Sequence, residues 1–531
     1  MVISDLRPAR DDLRAAASTT SGRLPLLIAL GFLLAGTGYR LVTSLVGTPR
    51  TDSDEAIMGL AALHVSTGRH WPVYFYGQHY MGTLEAYLAA PIFAVAGPSV
   101  FALRLPNLLL YVLFVVLMWR LTVRLYPSRW FPVLIVALLA LGADRVLRNQ
   151  LIAGGGYPEM NPAGALLMLL ALGLATGAYR RPTPALAVGG LVTGLMLWDD
   201  PLLLPYLAAA GAVVLWFTWR RLRGWAVAVL VGSVLLGAAP AIWYAVANRR
   251  NPLSALFNVS SGGEPAGWLD RLSGGVLFGV PMGTGFCGPG WCAGWQLWWA
   301  PVLLILLGVA TVAAVRALRT GEPGDRVIVA TRLALLVAAG LTLLGYATSN
   351  TAGSTPVQSA CYLSTLAISL PVLLWPLWAV AWERTRVFWR PVAVLVLAGV
   401  VASMAVATVQ AVGTVPDNRV YTVNHQALID ELRRLSVRHV YSHYWSCNTI
   451  TFATEEEIVC AVVEEDDLSP GHDRYPAYRV AVDAAPDPVY VLPAGSRAEP
   501  LVRQALRERY PAGGEPVLRT VPGYTIYMRP E

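Results

Sequence analysis

Residues 24–56 read LPLLIALGFLLAGTGYRLVTSLVGTPRTDSDEA, a long apolar run followed at once by a short polar segment with three carboxylates. A helix over residues 24–46 is long enough to cross a hydrocarbon core of roughly 30 Å. The run is too long for the apolar part of a cleaved signal peptide and lacks a convincing small-residue cleavage site before the polar segment. We therefore predict that it remains as the first membrane helix, with the carboxylates at the membrane surface.

The rest of the chain is similarly apolar. Its 531 residues are 55% hydrophobic and 14% charged, with a mean hydropathy of +0.52, which is too apolar for an ordinary soluble protein of this size. We predict a mainly α, polytopic membrane protein, because helices satisfy their backbone hydrogen bonds inside lipid. About eleven spans are expected, at residues 24–46, 99–119, 131–143, 163–179, 184–198, 202–218, 225–247, 299–316, 327–346, 363–382 and 391–411.

The formal charge of +7 does not indicate a nucleic-acid partner. All basic residues are arginines, and most lie in the N-terminal tail or in short loops at residues 120–129, 180–181, 220–223, 316–326 and 384–390. With eleven crossings these loops all face the cytoplasm, as the positive-inside rule requires. Counting the apolar residues 84–97 as a crossing would move the later arginine-rich loops to the outer side of the membrane. We therefore predict an interfacial helix at these residues. We expect a multi-pass plasma-membrane protein with a cytoplasmic N-terminus.

Three regions follow from this topology. Residues 1–23 form a cytoplasmic tail, residues 24–411 the transmembrane domain, and residues 412–531 an extracytoplasmic domain. The outer loops at residues 47–98 and 248–298 are too long to be simple connectors, and long loops often carry function.

The composition after residue 411 is that of a soluble domain, with 17 acidic residues and 12 arginines, a net charge of −5. Its apolar pattern predicts a small α/β fold. We expect helices at residues 424–435 and 497–509, and strands at 437–444, 458–463, 478–482, 489–492 and 524–529. Its expected side of the membrane suggests that it binds the acceptor or shields the active site.

Asp52, Asp54 and Glu55 are the first candidates for chemistry. Mutual repulsion and partial desolvation beside the membrane are expected to raise the pKa of at least one of these carboxylates. Such a group suits a general base that accepts a proton from a hydroxyl. A structural explanation is also open, since Ser53 or Asp54 could cap a helix over residues 56–65. The catalytic and the capping interpretations are compatible with each other.

Residues 74–85, YFYGQHYMGTLE, continue the same loop with a mixture of side chains that suits a carbohydrate. Aromatic faces, Tyr76 among them, can pack on a sugar ring, and Gln78, His79 and Glu85 can meet its hydroxyls. Aromatic anchors at the membrane interface would use the same tyrosines.

The ordered series of Asp-Glu-Ala at residues 54–56, YGQHYMGTLEAYLAAPIF at 76–93 and FALRLPNLL at 101–109 resembles membrane glycosyltransferases of family 39. These are enzymes of the protein O-mannosyltransferase and aminoarabinose-transferase type, within the GT-C superfamily. The resemblance covers most of residues 24–200 and is weaker to about residue 411. It implies a GT-C-like fold and a polyprenyl-phosphate-linked sugar donor.

The resemblance also implies roles for particular residues. Asp54 matches the aspartate of the first outer loop that acts as catalytic base in this family. Asp54 would then deprotonate the acceptor hydroxyl as it attacks the anomeric carbon, with inversion, while polyprenyl phosphate leaves. Glu55 would orient or hydrogen-bond the substrates. Asp52 is the further catalytic candidate in the cluster.

Two further polar patches fall on the expected outer face. Tyr157 and Glu159 belong to the first, and Glu159 resembles a recurrent acidic position of these enzymes. Asp199 and Asp200 form the second, although they could simply cap the following helix through Pro201. Charges so close to apolar spans are often functional.

A leaving phosphate requires positive charge. The candidates on the expected outer face are Arg69, Arg145, Arg148, Arg249 and Arg250. Related transferases often carry an Arg-Tyr pair entering a late helix, but this chain has Cys361-Tyr362 there. Any phosphate role that depends on that arginine is therefore in doubt.

No required cofactor is expected, and no nucleotide-binding glycine motif stands in a suitable context. His64, His70 and His79 could be drawn with Asp52 and Asp54 as a divalent metal site, but their spacing fits no standard ligand motif. Two cysteine pairs fall in segments expected outside, where oxidation would permit disulfides between Cys287 and Cys292 and between Cys447 and Cys460. Alternatively, these cysteines are unpaired small residues.

These observations favour an enzyme that transfers a hexose or pentose from a polyprenyl-phosphate donor to an extracytoplasmic protein, glycan or lipid. A transporter or flippase of a lipid-linked saccharide is the first alternative. It should show polar residues at midspan and paired broken helices, whereas the acidic residues here cluster in outer loops. A non-catalytic cell-envelope assembly protein is the second alternative.

Overall fold

The computed structural model describes residues 20–220, 222–251, 265–320, 325–382, 388–511 and 513–530. Residues 1–19 of the expected cytoplasmic tail, 252–264 of the second long loop, and Arg384 and Arg386 lie outside the described residues. The first part of the membrane domain contains α1 (Thr20–Leu45), α2 (Ser53–Ser66), α3 (Leu84–Ala96), α4 (Val100–Leu125), α5 (Phe131–Ala140), α6 (Asp144–Leu151), α7 (Tyr157–Ala175), α8 (Pro182–Asp199), α9 (Leu204–Thr218), α10 (Trp225–Gly237) and α11 (Ala239–Asn248).

The second part of the membrane domain begins with short helical segments at Trp268–Leu272, Ser273–Phe278, Gly279–Gly283 and Gly294–Trp298. The long helices α12 (Trp299–Thr320) and α13 (Arg326–Ala347) follow. Further short segments at Asn350–Ser354, Pro356–Ser359 and Ala360–Ser369 then lead into α14 (Leu370–Trp382) and α15 (Arg390–Val412).

Eight helices in the described part of the chain are long and apolar enough to cross a membrane, or up to nine if the α10–α11 pair, bent by 59°, is one span. The chain is thus a multi-pass membrane protein. Nine of the eleven predicted spans fall on these helices when the bent pair is counted as one. The spans predicted at 131–143 and 184–198 fall on α5 and α8, which are not among them, and α5, at 10 residues, is short for a crossing. The interfacial helix predicted at residues 84–97 corresponds to α3, a 13-residue apolar helix.

A buried arginine explains how α5 ends after so few residues. The guanidinium of Arg40 in α1 is fully buried and donates hydrogen bonds to the carbonyls of Leu139 (3.3 Å), Ala140 (3.1 Å) and Leu141 (3.0 Å). The last carbonyls of a helix have no partner within the helix, so Arg40 satisfies them. Its Nε also donates to Oε1 of Gln150 at 2.7 Å, which fixes α6 against α1.

The C-terminal domain is an α/β unit that follows α15 almost without interruption. Its elements are α16 (Val415–Arg434), β1 (His439–Ser442), α17 (Tyr444–Ala453), β2 (Val459–Val462), α18 (Pro476–Asp483), β3 (Val489–Pro493), α19 (Glu499–Arg509), β4 (Val517–Val521) and β5 (Tyr524–Met528). The five strands form one sheet in the order β2-β1-β3-β5-β4; β1 runs parallel to β2 and β3, and β5 antiparallel to β3 and β4.

Three details of this domain differ from the sequence prediction. The strand predicted at residues 478–482 is wrong, because these residues form part of α18. Pro476 lies in the first turn of this helix, a position that proline favours. Tyr478 and Val482 are buried and lie one helical turn apart, on the same face. Helix α17 was not predicted, since its β-branched and aromatic residues favour strands and only its packing overrides that propensity. Strand β4 was also missed, because it buries no residue.

The C-terminal domain is docked on the first long loop through α17 and α2. The ring of Phe452 lies against Gly59, where a Cβ would come within 2.5 Å of it, and stacks on Phe93 with centroids 6.2 Å apart. Asn448 donates a hydrogen bond to Oγ of Ser53 at 2.6 Å. The beginning of α2, with its carboxylates, therefore lies at the interface of the two domains.

Candidate active site

The three carboxylates at the start of α2 have three different environments. Asp52 is the N-cap of the helix and accepts a hydrogen bond from the Glu55 backbone N–H at 3.0 Å. The predicted helix is confirmed, but its cap is Asp52 rather than Ser53 or Asp54. Burial, then the charge of Asp54, raises the pKa of Asp52 to about 6, so one carboxylate of the cluster has the raised pKa that the sequence predicts.

Glu55 is buried and does not line the cavity beside Asp54, so the structure does not place it where a substrate contact was expected. Its side chain is completely buried, and Arg104 of α4 donates to both oxygens, from Nε at 2.6 Å and from Nη2 at 2.5 Å. A buried carboxylate requires such a partner, because leaving one charge unpaired costs several kcal/mol. Glu55 thus fixes α2 to α4 and has no oxygen left for a substrate.

Asp54 faces a cavity and is held from the opposite side by the C-terminal domain. Its Oδ1 accepts hydrogen bonds from the hydroxyl of Tyr444 (2.5 Å) and from Nη2 of Arg474 (2.9 Å). About a third of the Asp54 side chain (36%) remains exposed. The residue that best matches the family's base is therefore oriented and accessible.

The cavity in front of Asp54 has a volume of about 660 Å³ and lies between the membrane helices and the C-terminal domain. Its walls carry three arginines and three aspartates, so charged groups of both signs face it. These residues are Arg50, Arg145, Arg148, Asp52, Asp54 and Asp144. Uncharged polar groups, including Gln78, Tyr80, Tyr157 and Gln358, and the ring of Trp445 complete the wall.

An apolar groove of about 350 Å³ adjoins the polar cavity. The two share Tyr80, Met81, Tyr157, Thr351 and Tyr362 as walls. The groove continues along α13 past Leu341 and Gly345. A cavity with charged walls and an apolar groove along a membrane helix thus lie side by side and share part of their walls.

The predicted phosphate-binding arginines separate into two groups. Arg145 and Arg148 line the cavity, where Arg145 donates to the Val357 carbonyl (2.5 Å) and Arg148 pairs with Asp144 (3.2 Å). Arg69 instead pairs with Glu456, and Arg250 bonds His79 at 2.7 Å. Arg249 lies at the end of α11 and is not a cavity wall residue.

The aromatic segment at residues 74–85 contributes only in part. Gln78 and Tyr80 line the cavity. Tyr76 does not, because its hydroxyl bonds His64 (2.6 Å) and His70 (2.8 Å) at the domain interface. His79 also points elsewhere, since Nδ1 bonds the hydroxyl of Tyr244 at 2.7 Å. The expected sugar contacts of Tyr76 and His79 are therefore corrected.

Glu85 and Glu159 support the cavity from behind rather than lining it. Oε1 of Glu85 accepts the backbone N–H groups of Gly154 (3.2 Å), Gly155 (3.2 Å) and Gly156 (3.1 Å). These three hydrogen bonds fix the turn before α7. Gly155 and Gly156 in this turn have φ of +126° and +81°, values that suit glycine. Glu159 is buried and does not line the cavity. Neither of the two glutamates predicted to contact the substrate is therefore a wall residue of this cavity.

The second acidic patch is also inside the protein. Asp199 and Asp200 are buried. Asp200 accepts the Leu202 N–H at 2.8 Å, in the capping role that the sequence allowed. Asp200 additionally borders the apolar groove.

Disulfides join Cys287 to Cys292 and Cys447 to Cys460, and Cys361 is free and buried. The second disulfide ties α17 to β2 behind Tyr444. Across the described ranges, no group of three or more His, Cys, Asp or Glu side chains is placed to hold a metal ion. His64, His70 and His79 take part in the separate contacts given above.

Several site residues were missed in the sequence. Arg50 lines the cavity and stacks on Tyr421 with its guanidinium 4.5 Å from the ring centre; its position four residues before Asp54 was an available signal. Tyr444, Trp445 and Arg474 come from the C-terminal domain, and no local pattern in the sequence links them to the first loop.

Solved structures share this architecture over nearly the whole chain. ArnT from Cupriavidus metallidurans bound to undecaprenyl phosphate superposes with a TM-score of 0.58 at 14% identity, covering 96% of this chain and 98% of that one. ArnT belongs to the GT-C superfamily. This chain has the GT-C fold.

Two further structures agree with that assignment. ArnT from the same organism in the apo state has a TM-score of 0.56 at 14% identity, covering 94% of this chain and 98% of that one. The apo oligosaccharyltransferase from Archaeoglobus fulgidus, also a GT-C protein, has a TM-score of 0.50 at 13% identity, covering 89% and 70%. No protein-family model matches the chain, and no curated protein matches it. The predicted GT-C-like fold is confirmed.

Proposed function

We propose that this protein is an inverting membrane glycosyltransferase that transfers a sugar from a polyprenyl-phosphate donor to an acceptor hydroxyl. One observation carries the proposal: the carboxylate of Asp54, about a third exposed, faces a cavity that holds three arginines and adjoins an apolar groove along α13. A base, an anion site and a lipid channel are the parts that this reaction requires.

The two adjoining cavities fit the two halves of such a donor. The sugar phosphate would lie in the polar cavity, where Arg145 and Arg148 offer charge-assisted hydrogen bonds to phosphate oxygens. The first prenyl units would follow the apolar groove toward Leu341. ArnT from Cupriavidus metallidurans, which has the same fold, was solved with undecaprenyl phosphate, and this supports a donor of that class.

The proposed reaction exchanges one carbon–oxygen bond at the anomeric carbon for another and moves one proton. The acceptor oxygen attacks the anomeric carbon while its proton passes to the free Oδ2 of Asp54. The bond from the anomeric carbon to the phosphate oxygen breaks, and polyprenyl phosphate leaves with the electron pair toward the arginines. Attack opposite the leaving group inverts the anomeric centre. No step requires a metal ion, and we expect chelation by EDTA to leave the rate unchanged.

We further propose that the cavity and the C-terminal domain lie on the extracytoplasmic side, since the arginine-rich loops lie at the other ends of the spans. A membrane-impermeant thiol reagent should label Asp467→Cys in intact cells and should label Arg220→Cys only after permeabilisation, since both positions are exposed. The reverse labelling would overturn this orientation.

Transfer of labelled sugar by the purified protein in lipid nanodiscs tests the function. We would supply a panel of polyprenyl-phosphate hexoses and pentoses with protein, glycan and lipid acceptors. Asp54→Asn should lose activity by a factor of about 10² to 10⁴, the usual contribution of a general base. Asp52→Asn is the matched control, because asparagine also caps a helix. No transfer with any donor would overturn the function, and equal losses in both variants would remove the base assignment.

A further inference from the structure

The C-terminal domain holds the Asp54 carboxylate in a closed group of three side chains. The hydroxyl of Tyr444 donates to Oδ1 of Asp54 (2.5 Å) and accepts a hydrogen bond from Nε of Arg474 (2.8 Å). Nη2 of Arg474 donates to the same Oδ1 at 2.9 Å. Each pair among these three residues is therefore directly bonded.

The two oxygens of Asp54 are consequently not equivalent. Oδ1 receives both donors from the C-terminal domain. Within the described ranges of the chain, no protein group hydrogen-bonds Oδ2. The side chain is 36% exposed at the cavity wall, so one oxygen is fixed and the other is available to an incoming hydroxyl.

Arg474 is itself rigidly placed. Its side chain is only 9% exposed and lies over the Phe75 ring, 5.0 Å from the centre. Gly77, with φ of +74°, allows the close approach, since a Cβ there would lie 3.2 Å from the Arg474 Cα. The neighbouring Asp473 accepts the Val462 N–H at 2.8 Å and pairs with Arg479 at 2.7 Å. Both sides of the domain interface thus fix the guanidinium.

The positive charge of Arg474 is paired directly with Asp54. The neighbouring Glu55 is neutralised by Arg104. Other titratable side chains that interact with Asp54 include Asp52, Tyr80 of the first loop and His472 of the C-terminal domain. Arg474 is the arginine in the described structure that forms an ion pair with Asp54.

We propose that Arg474 and Tyr444 are positioning residues of the C-terminal domain that orient Asp54, so that Oδ2 is directed at the acceptor hydroxyl. The inference rests on the proposed function and deepens it. The membrane domain then supplies the base, Asp54, and the C-terminal domain supplies the side chains that orient it. A carboxylate fixed in one orientation avoids the loss in rate that follows from a misplaced catalytic group.

The test compares Arg474→Gln, Arg474→Lys and Tyr444→Phe in the full-length protein in nanodiscs. Arg474→Gln should lower kcat by about 100-fold, as for a catalytic group displaced by about 1 Å, and should leave the donor KM nearly unchanged. Arg474→Lys should recover part of the loss because it keeps the charge. Tyr444→Phe should show a smaller loss of kcat than Arg474→Gln. In an Asp54→Asn background, Arg474→Gln should lower the residual rate no further.

The matched control is Arg69→Gln. Arg69 bridges the same two domains through Glu456 but does not contact Asp54. The kcat of the Arg69→Gln variant should therefore remain at the wild-type level.

A wild type that transfers sugar, together with an Arg474→Gln variant of undiminished kcat, would overturn this inference and leave the proposed function standing. Equal losses of kcat in Arg69→Gln and Arg474→Gln would also overturn it, since docking alone would then explain both. A wild type that transfers no sugar would overturn the proposed function, and the inference with it.

Discussion

The carboxylate of Asp54 and the guanidinium of Arg474 lie 2.9 Å apart, although 420 positions separate the two residues along the chain. This ion pair joins the start of α2 to the C-terminal domain at the wall of the polar cavity. Both domains therefore contribute to the immediate surroundings of the proposed base.

Acid should weaken the docking of the two domains through Glu456. Burial raises the pKa of Glu456, but hydrogen bonds from His64 and Tyr478, the charge of His64 and the Arg69 bond outweigh it and lower the pKa from 4.5 to about 2. The ionised form is thus favoured in the folded state, and its stabilisation is present above pH 4.5 and is lost as the pH falls toward 2.

Thermal unfolding of wild type and Glu456→Gln at several pH values measures this effect. Wild type should unfold at a higher temperature at neutral pH, and the difference should shrink below pH 4.5. A difference that is independent of pH would show that the charge of Glu456 does not hold the domains together.

A side chain at Gly59 should disturb the same interface by its volume alone. The Cβ of Gly59→Ala would meet the Phe452 ring at 2.5 Å, and overpacking of this kind costs roughly 1 to 3 kcal/mol. Thermal unfolding should show the loss, and adding Phe452→Leu should recover part of it. If Gly59→Ala is as stable as wild type, α17 and α2 do not pack as closely as described.

Loss of Glu55 should destabilise the protein rather than impair chemistry. Glu55→Gln leaves the buried Arg104 guanidinium without its counter-charge, at a cost of about 3 to 5 kcal/mol. We expect a lower unfolding temperature with unchanged donor KM in the fraction that folds. The paired replacement Glu55→Leu with Arg104→Met should recover stability. A variant of normal stability with a raised donor KM would instead place Glu55 at the substrate.

Arg148 should matter for the donor, and Arg250 should not. Arg148 lines the cavity, whereas Arg250 lies outside it against His79. A hydrogen bond to a charged group contributes about 1.5 to 3 kcal/mol, so Arg148→Gln should raise the donor KM by about 10-fold or more. Steady-state kinetics with varied donor checks both variants. An equal effect of Arg250→Gln would mean that general surface charge, and not the cavity, binds the phosphate.

The sequence by itself determined the features that depend on local chemistry. The apolar runs predicted where the membrane helices lie, because lipid requires long apolar segments whose backbone is bonded internally. The motifs between residues 54 and 109 pointed to the GT-C fold. The cluster of Asp52, Asp54 and Glu55 just after the first helix marked the candidate site, and the family resemblance pointed to Asp54 within it. The composition after residue 411 predicted a separate α/β domain.

Only the tertiary structure decided what each polar residue does. Glu55 is adjacent to Asp54 in the chain, yet successive residues of a helix point in different directions, so one faces Arg104 and the other the cavity. Likewise, Tyr444 and Arg474 reach Asp54 only because α17 packs on α2. Such contacts arise from the packing of distant segments, and no local pattern of residues encodes them.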